Sequence, residues 1–363
     1  MARIAISLCG EGRGHATRVS SLLNRLDDRH EILVWASGDA LEFLRGRFAG
    51  RRDTIRIEEA PGLVFEYTAG RLDLTKSIAA GIDFSARRLG PLVDRMLVEL
   101  ESFGAELAIV DMEPALPRAA ARLGLPVVSV DHQHFLVAYD LDVLPTSLQW
   151  MARLMSYVVL MHVPDADDTV VSAFFRPPLR HGWEHVRQVG PLLRPEVAAA
   201  RPTDAGFVLS YLRRNTPFSA IESLAECGAP VKVYGLGSRE PVGRVSFHPI
   251  DDERFVEDLA ACTALVSAAG NQLIGEALHL GKPLLVLPER GHAEQLMNSH
   301  FLRAMGCGDF CPLDEVSSGR IDGFLDGLDA HRGALAAVAA RMDGTDDVMA
   351  VVDRRLAAGR VTT

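Results

Sequence analysis

Near the start of the chain a histidine follows three glycines at every second position, in Cys9-Gly10-Glu11-Gly12-Arg13-Gly14-His15. Glycines let a backbone turn tightly and approach a ligand, and the amides at a helix start favour an anion or an oxygen. The loop is no Walker loop, because no GK[ST] follows, and its spacing misses the GxGxxG fingerprint. A neutral imidazole aimed into a cleft can take a proton from an attacking hydroxyl near neutral pH, so His15 is the candidate base. A histidine that caps or packs is the alternative reading of the same position.

Two acidic residues stand where they can serve such a base. Asp111 and Glu113 follow the apolar run Ala108-Ile109-Val110, with Pro114 behind them. Either carboxylate can hold His15 in one tautomer and stabilise the imidazolium. The competing role is capping the next helix, whose first turn welcomes acidic groups. Asp111 already supplies a cap, so capping suits Glu113 less well. Asp131-His132-Gln133-His134 ends the next apolar run in the same way. The His-x-His spacing lacks a nearby third ligand, so acceptor contacts or packing are expected of His132 and His134, and no metal.

The second half carries a longer string. Ser267-Ala268-Ala269-Gly270-Asn271-Gln272 leaves an apolar run and opens a helix, and its amides and dipole suit a diphosphate. Glu276 lies six positions after Gly270, and Gly281-Lys282-Pro283 breaks the helix. Then comes Pro288-Glu289-Arg290-Gly291-His292-Ala293-Glu294-Gln295, with Asn298 one turn on. Glu294 and Gln295, at a helix start, offer two polar arms for sugar hydroxyls. Glu276 alone would read as a surface residue of an amphipathic helix.

The elements that must position these groups alternate. Residues 3–8 form a strand, and Val19, Leu22, Leu23 and Leu26 give the following helix one apolar face. Further strands are expected at 32–35, 54–57, 107–110 and 127–130, with helices over 92–103 and 115–123. Between 164 and 205 the rhythm breaks around Pro164, Pro177, Pro178, Pro191, Pro195 and Pro202, which marks the linker. A second series follows, with strands at 207–210, 231–234, 245–247, 264–267 and 284–287 and helices at 217–226, 252–261, 271–280 and 293–304. From about 320 the chain is Ala-rich and helical. Strands separated by helix-length segments imply parallel βαβ units. The fold class expected is α/β, two Rossmann-like doubly wound domains facing a cleft: residues 1–190, a linker at 191–205, and residues 206–363 with the C-terminal helices. Ligands of such sheets sit at the carboxyl ends of the strands, which puts loops at the chemistry. The stretch from Leu148-Gln149-Trp150-Met151 through Met155 fits either a lipid-facing acceptor surface or a core helix, and its spacing favours the core.

Composition narrows the partners. The chain has 363 residues, 48% hydrophobic and 24% charged, which suits two domains with ordinary cores. A net charge of −10 argues against nonspecific nucleic-acid binding, which relies on basic surface. Five scattered cysteines are read as reduced. The first residues do not form a signal peptide, and the most apolar stretch, Tyr157 to Val163, is too short to span a bilayer. A cytoplasmic protein is expected.

These strings together resemble the nucleotide-sugar glycosyltransferases of the two-Rossmann (GT-B) type over essentially the whole chain. The similarity is greatest to the group containing the peptidoglycan N-acetylglucosaminyltransferase and the UDP-glucuronosyl- and natural-product glycosyltransferases. The resemblance implies that Gly12, Gly14 and His15 form the first acceptor loop with the catalytic histidine, and that Asp111 orients it. It places Gly270 at the diphosphate, Glu276 at the ribose, and Glu294 and Gln295 at the donor sugar, with Asn298 continuing that signature. It assigns His248 and Ile250, in Phe247-His248-Pro249-Ile250, to the base and Ser210 to the diphosphate. Plant-type members carry a histidine and a tryptophan around the glycine where this chain has Ala268 and Asn271. Phosphate binding then leans on hydroxyls and on backbone amides, with Ala269, Gly270, Asn271 and Gln272 assigned to the donor. The implied activity is inverting, metal-independent transfer from a nucleotide-sugar, of uridine type by family frequency, to an acceptor hydroxyl. The nucleotide-sugar is a co-substrate and no cofactor is expected. A small-molecule or lipid acceptor, with peripheral membrane contact, stays open, as does the oligomeric state. A nucleotide-sugar epimerase of the same fold and a noncatalytic nucleotide-sugar-binding protein are the alternatives.

Overall fold

The computed structural model describes residues 1–10, 13–51, 53–62, 67–68, 71–72, 74–164, 166–213 and 216–359. Its first sheet begins with β1 (Ala2–Leu8), β2 (His30–Ala36) and β3 (Ile55–Glu59). A two-stranded antiparallel ribbon of β4 (Tyr67–Thr68) and β5 (Arg71–Leu72) intervenes. The sheet then resumes with β6 (Leu107–Asp111), β7 (Val127–Asp131), β8 (Asp168–Ser172) and β9 (Arg187–Val189). The strand order is β3-β2-β1-β6-β7-β8-β9, with every pair parallel. Ile4 and Ile6 pack on one face, while Ala5, Leu33 and Trp35 pack on the other. Burial on both faces explains why these strands read as continuous apolar runs instead of alternating ones.

The second sheet is built from β10 (Val208–Tyr211), β11 (Val231–Tyr234), β12 (Val245–Phe247), β13 (Ala264–Ser267), β14 (Leu284–Val286) and β15 (Gly308–Phe310). Its order is β12-β11-β10-β13-β14-β15, again parallel throughout. Each sheet therefore reverses its winding once, beside β1 in the first and beside β10 in the second. Loops that leave neighbouring strands in opposite directions open a crevice at such a point. In the first sheet the loops after β1 and β6 flank it, and in the second the loops after β10 and β13 do.

Two parts of the chain depart from the expected layout. The proline-rich region holds β8 and β9, short strands that the prolines around them conceal, and Pro195–Ala199 forms a short helix within the linker. The helix Thr345–Gly359, expected with the C-terminal domain, instead crosses back onto the first. Its Val348, Val351, Val352 and Leu356 join the cluster of Ile4, Val19 and Leu22. Arg25 pairs with Asp346 and Arg29 with Asp353, while Arg354 and Arg355 both reach Asp168. The two crossings touch at Gly190, where a Cβ would lie 2.5 Å from Met342 O. Only a residue without a side chain permits that approach.

The helix Thr146–His162 corrects the core reading of its apolar stripe. Leu148, Ala152 and Val159 are buried, but Trp150 and Leu154 are 64% and 65% exposed and Tyr157 is also exposed. The stripe is wider than the surface available to cover it. Arg153 lies 5.1 Å from the centroid of the Trp150 ring. Among the described residues no helix is long and apolar enough to cross a membrane. No two cysteines among the described residues are joined in a disulfide, and burial pushes the thiol of Cys262 up to about 12 and that of Cys307 up to about 11.

Candidate active site

The first crevice brings together a histidine, a carboxylate and an arginine. His15 lies in the helix Arg13–Leu26 that follows β1, and Asp111 ends β6 opposite Leu8. His15 Nδ1 stands 2.8 Å from Asp111 Oδ1. A carboxylate only accepts, so Nδ1 carries the hydrogen, and in the neutral imidazole the lone pair is at Nε2. Arg18 Nη1 donates to both oxygens of Asp111, at 2.7 and 2.8 Å. Arg18 and Asp111 are buried, whereas the His15 side chain keeps 13% of its surface exposed. Sequence alone does not single out Arg18, although its spacing of three residues from His15 puts both on one helix face.

Glu113 departs from the role expected of it. Between them Met112 sits at φ 57, the left-handed region that non-glycine residues adopt at a cost of roughly 1–3 kcal/mol. This turn leaves Asp111 beside His15 and sends Glu113 onto the helix Ala115–Leu123. There Ala115 N and Leu116 N each donate to Glu113 at 2.8 Å. Burial pushes the Glu113 carboxyl up, with those amides opposing it. Glu113 is thus a helix cap, and its expected contact with an acceptor is withdrawn.

The loop after β7 divides its two histidines. His134 Nδ1 lies 2.6 Å from Asp131 Oδ2, and its amide donates to Asp131 Oδ1 at 2.9 Å. Burial pulls His134 down, but the Asp131 charge outweighs it and raises the imidazole. Burial pushes Asp131 up, yet His134 and the Ser129 hydroxyl hold it below the carboxylate range. His134 is a buried structural partner, so the acceptor contact expected of it is also withdrawn. His132 turns the other way, with Nε2 at 3.1 Å from Asn298 Oδ1 in the second domain. Its Nδ1 is buried without a hydrogen-bond partner, and burial lowers its pKa. The two rings serve different neighbours and do not converge as metal ligands would.

In the second crevice Gly270 is exposed and precedes the helix Asn271–His279, with open space where a Cβ would project. The first amides of a helix have no partner within it. Ser210 lies on β10 across from Val266, its hydroxyl buried and without a hydrogen-bond partner. Ala269 is buried, and its carbonyl accepts from Asn298 Nδ2 at 3.0 Å.

Three side chains of this segment are committed to the domain junction, and for Glu276 that replaces the ribose contact expected of it. Asn271 Oδ1 accepts from Phe174 N at 3.2 Å, and its Nδ2 donates to Ser172 O at 3.1 Å. Gln272 Nε2 donates to Leu192 O at 2.8 Å. Glu276 is buried and takes Arg194 Nε at 3.0 Å and Nη2 at 2.6 Å, one on each oxygen. Burial lowers Arg194, but Glu276, Asp252 and Glu196 outweigh it and raise the guanidinium. Arg194 stands in the linker, where sequence alone assigns it no role. At the expected base segment, the His248 amide donates to Val233 O at 2.8 Å, and the ring lies against Tyr234 with centroids 5.2 Å apart. Ile250 is exposed. Gly12 lies outside the described residues, and Gly14 is exposed, with no atom within 4 Å of a Cβ placed on it.

Glu294 joins the two halves. It opens the helix Ala293–Ala304, whose cap is His292 Nδ1, accepting from Gln295 N at 3.4 Å. Gln133 Nε2 donates to Glu294 Oε2 at 3.3 Å across the domain boundary. Burial pushes the Glu294 carboxyl up, but His132, His292, His15 and the Gln133 amide outweigh it and hold it below the ordinary glutamate value. The carboxylate therefore lies within the electrostatic reach of His15. Beside it, Gln295 Oε1 accepts from Glu289 N at 2.9 Å, which orients the amide at the end of the β14 loop.

Comparison with known proteins sets this arrangement in context. Residues 2–329 match the model of glycosyl transferase family 1. An uncharacterized glycosyltransferase of Methanosarcina mazei is 24% identical over 338 residues, covering 84% of each chain. One of Methanosarcina acetivorans is 24% identical over 334 residues, again with 84% of each covered. Among solved structures, Arabidopsis thaliana UGT89C1 complexed with UDP-L-rhamnose aligns with a TM-score of 0.71 at 14% identity, over 99% of both chains. The calicheamicin glycosyltransferase CalG4 aligns at 0.67 and 16%, over 100% of both. LpCGTa in complex with UDP aligns at 0.67 and 18%, over 98% of this chain and 99% of that one.

Proposed function

The chain belongs to glycosyl transferase family 1, and on that premise we propose that it moves a sugar from a UDP-sugar to an acceptor hydroxyl with inversion at the anomeric carbon. The observation that carries this reading is the His15–Asp111 pair at the first crevice together with the Gln133–Glu294 contact that brings the other domain's carboxylate to the same loops. Uridine is supported by the relatives of like fold, one complexed with UDP-L-rhamnose and another with UDP.

In this mechanism the acceptor oxygen attacks the anomeric carbon from the face opposite the diphosphate. The carbon–oxygen bond to the acceptor forms as the bond to the diphosphate breaks, and the hydroxyl proton passes to His15 Nε2. Asp111 holds Nδ1–H and stabilises the imidazolium, while Arg18 fixes Asp111. The leaving UDP carries its charge to the amides at the start of the helix Asn271–His279 and to the Ser210 hydroxyl, a preorganised set that needs no divalent cation. Glu294 and Gln295 hold hydroxyls of the donor sugar. The ribose is left to neighbours other than the carboxylate oxygens of Glu276, which face Arg194.

The test is mass spectrometry of products formed from a panel of UDP-sugars and a cell extract. The expected product is an acceptor heavier by one glycosyl unit, with UDP released at a rate that EDTA does not change. His15→Ala should lower transfer by about 10²–10⁴-fold and leave UDP binding intact. Conversion of the donor sugar with no acceptor present would replace this reading by an epimerase. Donor binding with no loss of biological activity in His15→Ala would replace it by a noncatalytic binder.

A further inference from the structure

The helix Ala293–Ala304 turns one face toward the first domain. Glu294, Asn298 and Phe301 stand at i, i+4 and i+7, which places them in one row along it. Each meets a residue of the first domain: Gln133 Nε2 donates to Glu294 at 3.3 Å, His132 Nε2 reaches Asn298 at 3.1 Å, and Phe175 stacks on Phe301 with centroids 3.8 Å apart. Adjacent loop residues, 133 and 132, thereby engage positions one helical turn apart. Asn298 continues the chain of contacts to Ala269 O in the glycine loop. The loop that supplies Gln133 is itself fixed, because Asp131 accepts from the amide of His134 and pairs with its ring.

Gln133 has one further property. Its Nε2 is engaged with Glu294, but its Oε1 is buried and without a hydrogen-bond partner. A buried amide oxygen without a donor carries a free-energy cost that an incoming hydroxyl would relieve. Glu294, whose Oε2 is held by Gln133, keeps Oε1 for a second hydroxyl. Together they present one acceptor oxygen from each domain within a single hydrogen-bonded pair.

We propose that Gln133 is a specificity-determining residue for the donor sugar, accepting a sugar hydroxyl through Oε1 while its amide sets the direction of the Glu294 carboxylate. The choice of sugar is thus made jointly by both domains, with the first contributing from the same loop cluster that carries the base. This rests on the reading that Glu294 meets the donor sugar. His132 and Asn298 hold the pair in register and need not touch the sugar.

The experiment compares binding of UDP with binding of UDP-glucose, UDP-galactose and UDP-N-acetylglucosamine, by calorimetry, in the wild-type chain, Gln133→Ala and Gln133→Glu. UDP contains everything in the donor except the sugar, so it reports folding and the diphosphate site together. Gln133→Ala should weaken the preferred UDP-sugar by about tenfold, the scale of a hydrogen bond to a charged group, and leave UDP within about twofold. Gln133→Glu, which sets a second carboxylate against Glu294, should weaken it further. An unchanged ratio of UDP-sugar to UDP affinity in both variants overturns the proposal. Equal loss of UDP and UDP-sugar also overturns it, since the loop would then be domain packing alone. If the wild-type chain binds no UDP at all, the glycosyl-transfer reading itself fails, a result distinct from either.

Discussion

The two crevices occupy equivalent places in their sheets and are furnished in opposite ways. In the first, side chains line the site: His15, Asp111 and Arg18 form a hydrogen-bonded cluster beyond β1 and at the end of β6. In the second, Asn271, Gln272 and Glu276 turn away to Ser172, Phe174, Leu192 and Arg194, which leaves the backbone amides after the exposed Gly270 at the opening. On the proposed function, the difference follows from the chemistry each crevice would perform. A proton needs a group that can bind and release it, which only a titratable side chain provides. A diphosphate needs fixed positive dipoles, which a helix start provides whatever its side chains are doing. Side chains at the second crevice are thereby free to join the domains.

This contrast can be broken by substitutions on either side. The largest effect is expected from Arg18→Met. Removing the guanidinium leaves the buried Asp111 with His15 alone, and breaking a buried pair in this way costs about 3–5 kcal/mol. Urea unfolding measures it, and a loss below about 1 kcal/mol would mean that the cluster is wetter than its burial implies. Asn271→Ala should act on the joint more than on the ligand. Two buried backbone groups, Phe174 N and Ser172 O, would lose their partner, at about 1–3 kcal/mol, while UDP affinity changes little. A collapse of UDP binding with stability unchanged would reverse the assignment of roles and make the second crevice a side-chain site like the first.

How much of this can be read from the residues depends on the range of the interaction. The α/β fold and two sheets are legible because β1, β6, β10 and β13 are apolar runs ending in glycine, acidic or hydroxyl residues. That places His15 and Asp111 together, since both leave strands that flank one switch point. The capping role of Glu113 is hidden, because it turns on the positive φ of Met112, which no propensity announces. The partners of Asn271 and Glu276 lie in β8, the segment after it and the linker, distant in sequence and obscured by prolines. Composition alone likewise misplaces the last helix. Thr345–Gly359 is an ordinary amphipathic helix, and only its packing on Ile4, Val19 and Leu22, with Gly190 against Met342, reveals that the chain returns to the first domain. For Thr146–His162 the apolar spacing is plain in the sequence, but spacing does not say how wide a face the protein can cover.

The central claim is that one ligand bridges the two crevices, and a crystal structure with an unhydrolysed UDP-sugar tests it most directly. The diphosphate is expected within hydrogen-bond distance of the amides after Gly270, and the sugar between Glu294 and His15 with its anomeric carbon toward the imidazole. A diphosphate bound elsewhere, or a sugar out of reach of His15, would contradict it.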